Sequence, residues 1–308
     1  MSARARIANA GLDLTDKTAV IAGGSQGIGA GIAIRFAQAG ANIIIIGRSQ
    51  DRLESVVSAA RKVSKSTAQK FDYVSADLSL LSGTKTAARE VETRSQSKVH
   101  YLIQTQGGMP NGLYEPTVEG IESHFAVQVL SRFLLAYMLA SSGMLLDTSI
   151  CIMDPGGTQT AFDISDLELT LSKNAGRYAL MGKQVSRDSI ITDTYTMVLQ
   201  SRFPHLRFFH LAPGLVHTDV VHNQHIPWPL RVLFAWVIFP VVGDTVMSYA
   251  EVPVFWAANG QSKEVARKNG FFLDQKGRGK GLSPFALDEG NQLAVFEKLI
   301  GYLERVKD

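Results

Sequence analysis

Short apolar runs alternate with longer stretches of helical spacing along most of the chain. The runs with the length of strands are residues 18–22, 42–46, 71–75, 100–105, 149–153 and 207–211. Residues 43–46 are all apolar, which is typical of a strand that helices cover on both faces of the sheet. The alternation therefore predicts a parallel sheet.

Five stretches have the length and apolar spacing of helices: residues 28–39, 51–63, 84–94, 118–141 and a segment that ends near Phe203. Crossover helices between parallel strands predict an α/β fold with a doubly wound parallel sheet of the Rossmann type. Because no repeat or linker interrupts the pattern, we expect a single domain over residues 17–308, after an N-terminal extension of residues 1–16. The basic, glycine-rich segment 277–283 is predicted to be a mobile loop.

Composition narrows the classes of function. With 45% apolar and 19% charged residues, the chain can bury a large core. Its net charge of +3 is not concentrated in a basic block, so the sequence does not indicate nucleic-acid binding. A single cysteine, Cys151, excludes an intramolecular disulfide and a cysteine metal cluster, so we expect no metal site and a reducing compartment. Residues 1–16 lack the apolar core of a secretory signal, and the apolar residues 227–242 are too short to span a bilayer. We expect a cytoplasmic protein without a transmembrane segment.

A glycine-rich run, Gly23-Gly24-Ser25-Gln26-Gly27-Ile28-Gly29, follows the first predicted strand and opens the first predicted helix. Glycines at such a turn let the backbone approach a pyrophosphate, whose charge is met by free N–H groups and the helix dipole. The position of the run predicts a dinucleotide site.

The second predicted strand leads into Gly47-Arg48-Ser49, where a cofactor ribose should lie and where many dinucleotide-binding proteins have an acid. An arginine favours a 2′-phosphate and hence NADP(H), because its planar fork donates several hydrogen bonds and stays charged. The alternative is a solvated arginine at a strand end.

After the glycine run come Asp77-Leu78, a Gly107-Gly108 turn, and Pro213-Gly214 followed by Thr218. With these motifs the sequence resembles the short-chain dehydrogenase/reductase family over residues 17–273. The resemblance implies that Asp77 lies beside the adenine, that the backbone near Gln106 and Gly107 lines the adenosine ribose, and that Thr218 lies near the nicotinamide amide. The residues predicted to bind the cofactor are Gly23, Ser25, Gln26, Gly27, Ile28, Gly29, Arg48, Ser49, Asp77, Leu78, Gln106, Gly107, Pro213, Gly214 and Thr218.

The family's catalytic residues are a tyrosine, a lysine four positions later, a serine after the fifth strand and an asparagine after the fourth. In this chain Gln128 stands at the asparagine position and Asp154 at the serine position, while Tyr178 is followed by Lys183 at a spacing of five. Either the helix begins late enough to restore a Tyr178–Lys183 dyad, or no dyad exists. Counting back from Pro213 without a gap places Lys183 at the tyrosine position and Arg187 at the lysine position. The predicted catalytic residues are Tyr178, Lys183, Asp154 and Gln128.

A helical substrate lid is expected at about residues 215–245, which are rich in aromatic and aliphatic side chains. Such a surface favours a bulky apolar substrate or, alternatively, packing against a partner subunit. The leading hypothesis is an NADP(H)-dependent oxidoreductase of a hydrophobic carbonyl or alcohol, resembling fungal retinol-dehydrogenase-like proteins of secondary-metabolite biosynthesis. The alternatives are a non-redox isomerase, cyclase or dehydratase on the same scaffold, and a non-catalytic cofactor-binding protein. The resemblance also implies a homodimer or homotetramer.

Overall fold

A sheet of seven parallel strands organises the residues that the computed structural model describes, which are 1–157, 160–217 and 244–305. The described strands are β1 (Thr18–Ala22), β2 (Asn42–Gly47), β3 (Phe71–Ser75), β4 (Val99–Gln104), β5 (Leu145–Ile152), β6 (Arg207–Leu211), β7 (Val216–His217), β8 (Asp244–Thr245) and β9 (Phe272–Leu273). The sheet has the order β3-β2-β1-β4-β5-β6-β9, and β7 pairs separately with β8. The doubly wound parallel sheet is confirmed.

Helices cover both faces of this sheet. They are α1 (Ser2–Ala8), α2 (Gly27–Gln38), α3 (Gln50–Lys62), α4 (Leu81–Ser95), α5 (Ser123–Ser141), α6 (Arg177–Arg202), α7 (Val246–Ala258), α8 (Gly260–Asn269), α9 (Pro284–Leu287) and α10 (Glu289–Arg305). Ile44 and Ile46 pack towards α4, α5, α6 and α10, whereas Ile43 and Ile45 pack towards α2, α3 and α7. Burial on both faces explains the unbroken apolar run in β2.

Two predicted elements differ most from the observed ones, by four residues in β5 and five in α5. Strand β5 starts at Leu145, four residues earlier than predicted. The polar Asp147 interrupts the apolar run, but the strand includes it because its carboxylate pairs with Arg207 at 2.7 Å. Helix α5 starts at Ser123, five residues later than predicted, because the carboxylate of Glu122 accepts hydrogen bonds from the first helical N–H groups. Side-chain pairing, which a hydropathy pattern does not register, therefore sets both boundaries.

Helix α5 is long and apolar enough to cross a membrane by length and composition. In the structure, 72% of its most apolar window is buried inside the protein, as in the core helix of a globular fold. A π-helical turn, Ala126–Leu130, interrupts α5 near its start. Such turns often lie at functional sites.

The N-terminal extension is partly helical and packs on the domain. The amide of Asn9 donates to the backbone oxygen and to a carboxylate oxygen of Glu251 in α7, both at 2.9 Å. The other carboxylate oxygen of Glu251 lies 2.8 Å from Arg35 of α2. All three side chains are nearly buried, so this network fixes α1 against α2 and α7.

The segment predicted to be a mobile loop forms a hydrogen-bonded turn after β9. Asp274 accepts hydrogen bonds from the backbone N–H groups of Lys276 and Arg278, and Lys280 N donates to Phe272 O at 2.8 Å. This turn carries Lys280 towards the loop that follows β5.

Candidate active site

The glycine turn after β1 lies against the turn after β4. Gly23 has a φ of +77°, and a Cβ atom there would lie 2.5 Å from Gln106 N. A Cβ atom on Gly29 would lie 2.3 Å from Gly23 O and 2.5 Å from Thr105 Oγ1. Thr105 Oγ1 donates to Ala22 O at 2.9 Å, which ties the ends of β1 and β4 together. Only glycine fits this cradle, as a dinucleotide site requires.

Helix α2 begins at Gly27 beside this turn. Its N-cap residue, Gln26, makes no side-chain hydrogen bond to the first helical N–H groups. These donors and the positive end of the helix dipole are therefore available to an anion. The residues present fit the pyrophosphate of a dinucleotide.

A second arginine stands beside Arg48 at the end of β2. Arg48 is exposed directly after the strand, and Ser49 is the N-cap of α3. Arg52, in the first turn of α3, reaches back so that its Nη1 lies 2.6 Å from Gln26 Oε1. Our prediction named Arg48 and missed Arg52, although its position four residues later, on the first turn of a predicted helix, was a usable signal.

The turn after β3 holds Asp77 and Leu78. Asp77 Oδ1 accepts hydrogen bonds from the N–H and the hydroxyl of Ser79, at 2.9 and 2.8 Å. The side chain of Leu78 lies in the core, so this residue presents its backbone to the sheet edge.

The turn after β4 packs against the π-turn of α5. Gly107 has a φ of +101°, and Gln128 Oε1 occupies the space that a Cβ atom on it would need. Gln128 Nε2 donates to Gly108 O at 2.7 Å. The Gln106 side chain is buried and donates to Ser131 Oγ at 3.2 Å. The structure thus brings Gln106, Gly107 and Gln128 together.

Tyr178 and Lys183 are not brought together. Helix α6 begins at Arg177 and runs unbroken for 26 residues, so the late helix start that would rescue the dyad is wrong. Tyr178 is 83% exposed in the first turn. Lys183, turned to another face by the five-residue spacing, donates from Nζ to Ser172 Oγ at 2.7 Å. An unbroken helix agrees with the count that places Lys183, and not Tyr178, at the tyrosine position.

Arg187, at the lysine position of that count, is fully buried. Its guanidinium lies 3.1 Å from Glu122 Oε2 and 2.7 Å from Asp188 Oδ1. His124 Nε2 lies 2.8 Å from the other oxygen of Asp188. Burial alone raises the pKa of the Asp188 carboxyl, but Arg187 and His124 outweigh it and the net pKa is lowered. This network therefore stabilises the fold above pH 3.8, the ordinary pKa of the group, and loses that effect as the pH falls through the lowered value.

Asp154 lies on the loop after β5. Its side chain is 72% exposed and its Oδ1 pairs with Lys280 Nζ at 2.9 Å. The next glycine, Gly156, donates its N–H to the buried carboxylate of Asp193 at 2.8 Å. Our prediction missed Lys280, which comes from the far C-terminal turn.

A family model described as short chain dehydrogenase matches residues 17–149. That range contains the glycine turn, Arg48, Asp77 and the turn after β4. Over these residues the chain is similar to the short-chain dehydrogenase/reductase family. It is a short-chain dehydrogenase/reductase-like oxidoreductase with a Rossmann-type fold.

Named relatives agree with this assignment. An oxidoreductase of Emericella nidulans is 28% identical over 243 residues, which cover 75% of this chain and 68% of the relative. Human polyprenol dehydrogenase is 26% identical over 255 residues, which cover 77% of this chain and 73% of the relative. Among solved structures, a 7α-hydroxysteroid dehydrogenase complexed with NADH and 7-oxo glycochenodeoxycholic acid aligns with a TM-score of 0.61 at 18% identity, covering 89% of this chain and 94% of that one. The structural likeness concerns the fold.

The proline-glycine turn, Pro213-Gly214, follows β6. Gly214 has a φ of +65°, and a Cβ atom on it would lie 2.9 Å from the side chain of Gln275. Thr218 and residues 218–243, which include most of the predicted lid, lie outside the described residues. His217, at the edge of that gap, lines a groove of about 280 Å³ with residues of α2 and α7, among them Gly27 and Met247.

Proposed function

We propose that the protein is an NADP(H)-dependent oxidoreductase that acts on a bulky hydrophobic carbonyl or alcohol. Two arginines at the carboxyl end of β2 carry this proposal. Arg52 Nη1 lies 2.6 Å from Oε1 of Gln26, the N-cap residue of α2, and Arg48 is exposed directly after β2. A 2′-phosphate on the ribose expected at this strand end would meet two positively charged side chains. Arginine is well suited to bind such a group through charge-assisted hydrogen bonds.

Apolar side chains support a hydrophobic substrate. Met109 and Leu113, after β4, and Leu215, after β6, are 64%, 42% and 47% exposed on loops at the carboxyl edge of the sheet. Enzyme pockets for small molecules form at this edge and are lined mainly by apolar groups. The relatives named for polyprenol and hydroxysteroid substrates act on apolar molecules, in line with the proposal. A role in secondary metabolism, a cytoplasmic location and a homo-oligomer stay predictions of the sequence.

For proton transfer we assign Lys183 as the donor. A bound nicotinamide would supply the hydride, and the carbonyl oxygen of the substrate would then need a proton. Lys183 stands at the tyrosine position on the gap-free count, and its ammonium group can donate that proton. Ser172 orients the side chain at 2.7 Å. In this assignment Asp154, paired with Lys280, shapes the facing loop.

Replacing Arg48 or Arg52 with alanine should weaken NADPH binding and leave NADH binding unchanged. Each substitution removes one charged donor from the 2′-phosphate, so the dissociation constant for NADPH should rise by about tenfold. The measurement is a titration followed by nicotinamide fluorescence. Arg61→Ala is the matched control, because Arg61 lies at the other end of α3 and donates to Phe71 O. Equal binding of NADPH and NADH by the unaltered protein contradicts the NADP(H) preference, and no binding of either contradicts the function.

Replacing Lys183 with methionine should lower kcat for NADPH-dependent reduction of apolar aldehydes and ketones by about 100-fold, the usual effect of losing a general acid. Tyr178→Phe should leave kcat unchanged, because the tyrosine hydroxyl lies on the exposed first turn of α6. Lys173→Met, an exposed lysine on the preceding loop, controls for the loss of one positive charge. The pattern that would overturn the assignment is a loss of activity in Tyr178→Phe with retention in Lys183→Met.

A further inference from the structure

A buried guanidinium lies beneath the carboxyl ends of β4 and β5. Arg132 of α5 is 2% exposed. Its Nη1 donates to Gln104 O at 3.2 Å, to Ile152 O at 3.1 Å and to Cys151 Sγ at 3.0 Å. Its Nη2 donates to Gln106 O and, at 3.1 Å, to Gln128 Oε1. One cation thus joins the ends of two central strands and the turn after β4.

No carboxylate among the described residues forms an ion pair with Arg132. The other buried arginines differ, because Arg187 lies between two carboxylates and Arg35 pairs with Glu251. The Nε atom of Arg132 is also buried without a hydrogen-bond partner in the described part of the chain. Carbonyl dipoles surround this charge, and no carboxylate of residues 1–157, 160–217 or 244–305 forms an ion pair with it.

The field of Arg132 reaches neighbouring groups. Burial raises the pKa of the Tyr195 phenol well above its ordinary value, the adjacent Cys151 raises it further, and Arg132 opposes both. A positive charge at this place therefore acts on groups other than those it hydrogen-bonds, as expected where the local dielectric is low.

Arg132 lies at the part of the sheet edge where the nicotinamide half of the cofactor is expected. In a doubly wound sheet the strands β1 to β3 bind one nucleotide and β4 to β6 the other. Because Arg48 and Arg52 assign the 2′-phosphate, and hence the adenosine, to the first half, the nicotinamide belongs over the ends of β4 and β5. Arg132 is a buried cation at those ends.

We infer that Arg132 makes the site prefer reduced over oxidised nicotinamide, and so favours the carbonyl-reducing direction; this inference rests on the proposed function. The oxidised ring carries a positive charge and the reduced ring is neutral, so a fixed cation at these strand ends would weaken binding of the oxidised form alone. At an effective dielectric constant of about 20, two unit charges about 10 Å apart repel enough to change an equilibrium roughly tenfold.

The test is calorimetric titration of NADPH and NADP⁺ into the unaltered protein, Arg132→Met and Arg132→Lys. The dissociation constant for NADP⁺ should exceed that for NADPH by about tenfold in the unaltered protein and in Arg132→Lys, which keeps the charge. In Arg132→Met the two constants should converge. If Arg132 had only a structural role, its replacement would weaken binding of both nucleotides and leave the ratio of their dissociation constants unchanged.

Two results would overturn the inference. One is an unchanged ratio in a folded Arg132→Met variant. The other, which needs no variant, is binding of NADP⁺ to the unaltered protein as tightly as NADPH. Binding of neither nucleotide is a different failure, because it contradicts the proposed function and not the role of Arg132.

Discussion

Arg187→Met should lower the free energy of unfolding by about 3–5 kcal/mol, the usual cost of removing one partner from a buried ion pair. The side chains of Arg187, Glu122 and Asp188 are 0%, 1% and 4% exposed, so the two carboxylates would stay buried without their cation. Glu122 also caps α5, so its displacement would loosen the start of that helix. Urea denaturation followed by circular dichroism measures the change.

Arg202→Met on the same helix is the control. Arg202 is exposed, and its guanidinium lies 3.9 Å from the centre of the Phe296 ring. Its replacement should lower the free energy of unfolding by about 1 kcal/mol or less. The deficit of Arg187→Met should also shrink on acidification, because Asp188 without Arg187 has a higher pKa and becomes neutral sooner. Equal urea concentrations at the midpoint of unfolding for the two variants at neutral pH would show that the buried network does not stabilise the fold.

Gly29→Ala should raise the dissociation constant for NADPH by at least about tenfold, equivalent to losing one charge-assisted hydrogen bond from the phosphates. The added methyl group would overlap Gly23 O and Thr105 Oγ1, at 2.3 and 2.5 Å, so the glycine turn must move away from β4. That movement displaces the N–H groups that meet the pyrophosphate. Titration with NADPH and thermal unfolding of the same samples separate loss of binding from loss of fold.

Gly301→Ala in α10 is the matched substitution, because no atom lies within 4 Å of the added methyl group. Alanine is the better helix former, so this variant should bind NADPH normally and gain up to about 1 kcal/mol of stability. If Gly29→Ala binds NADPH as tightly as Gly301→Ala does, the glycine turn is not the phosphate site.

The alternating apolar runs sufficed to predict the sheet, since β1, β3 and β6 have the predicted bounds. They did not predict α7. This helix buries every residue from Tyr249 to Ala257 and contains Pro253, so it has neither an amphipathic period nor the composition of a usual helix. The two-residue strand β9 is too short to stand out from a loop. Burial on all sides removed the periodic signal of α7, and brevity removed that of β9. Helix α10 was also missed, although its buried residues Val295, Phe296, Leu299 and Tyr302 recur at helical spacing.

The sequence indicated the parts of the candidate site whose geometry depends on local sequence, and it did not indicate those that depend on tertiary contact. The glycine turn is recognisable because its constraint comes from neighbours in the chain. Lys280, in contrast, is 126 residues away from Asp154, and no pattern links the two. Arg132 could have been singled out from the sequence, because it is a charged residue within the apolar stretch Ser131-Arg132-Phe133-Leu134 of a predicted helix. Such a residue must find polar partners when the helix is buried.

The hydrogen bonds between Asn9 and Glu251 also order the folding of the chain. They join residues 242 positions apart, so the contact between α1 and α7 can form only after the residues between them have been synthesised. Contacts between residues so far apart in sequence form slowly, because a long loop must close first. The pairing of Arg35 with Glu251, 216 positions apart, is a long-range contact of the same kind.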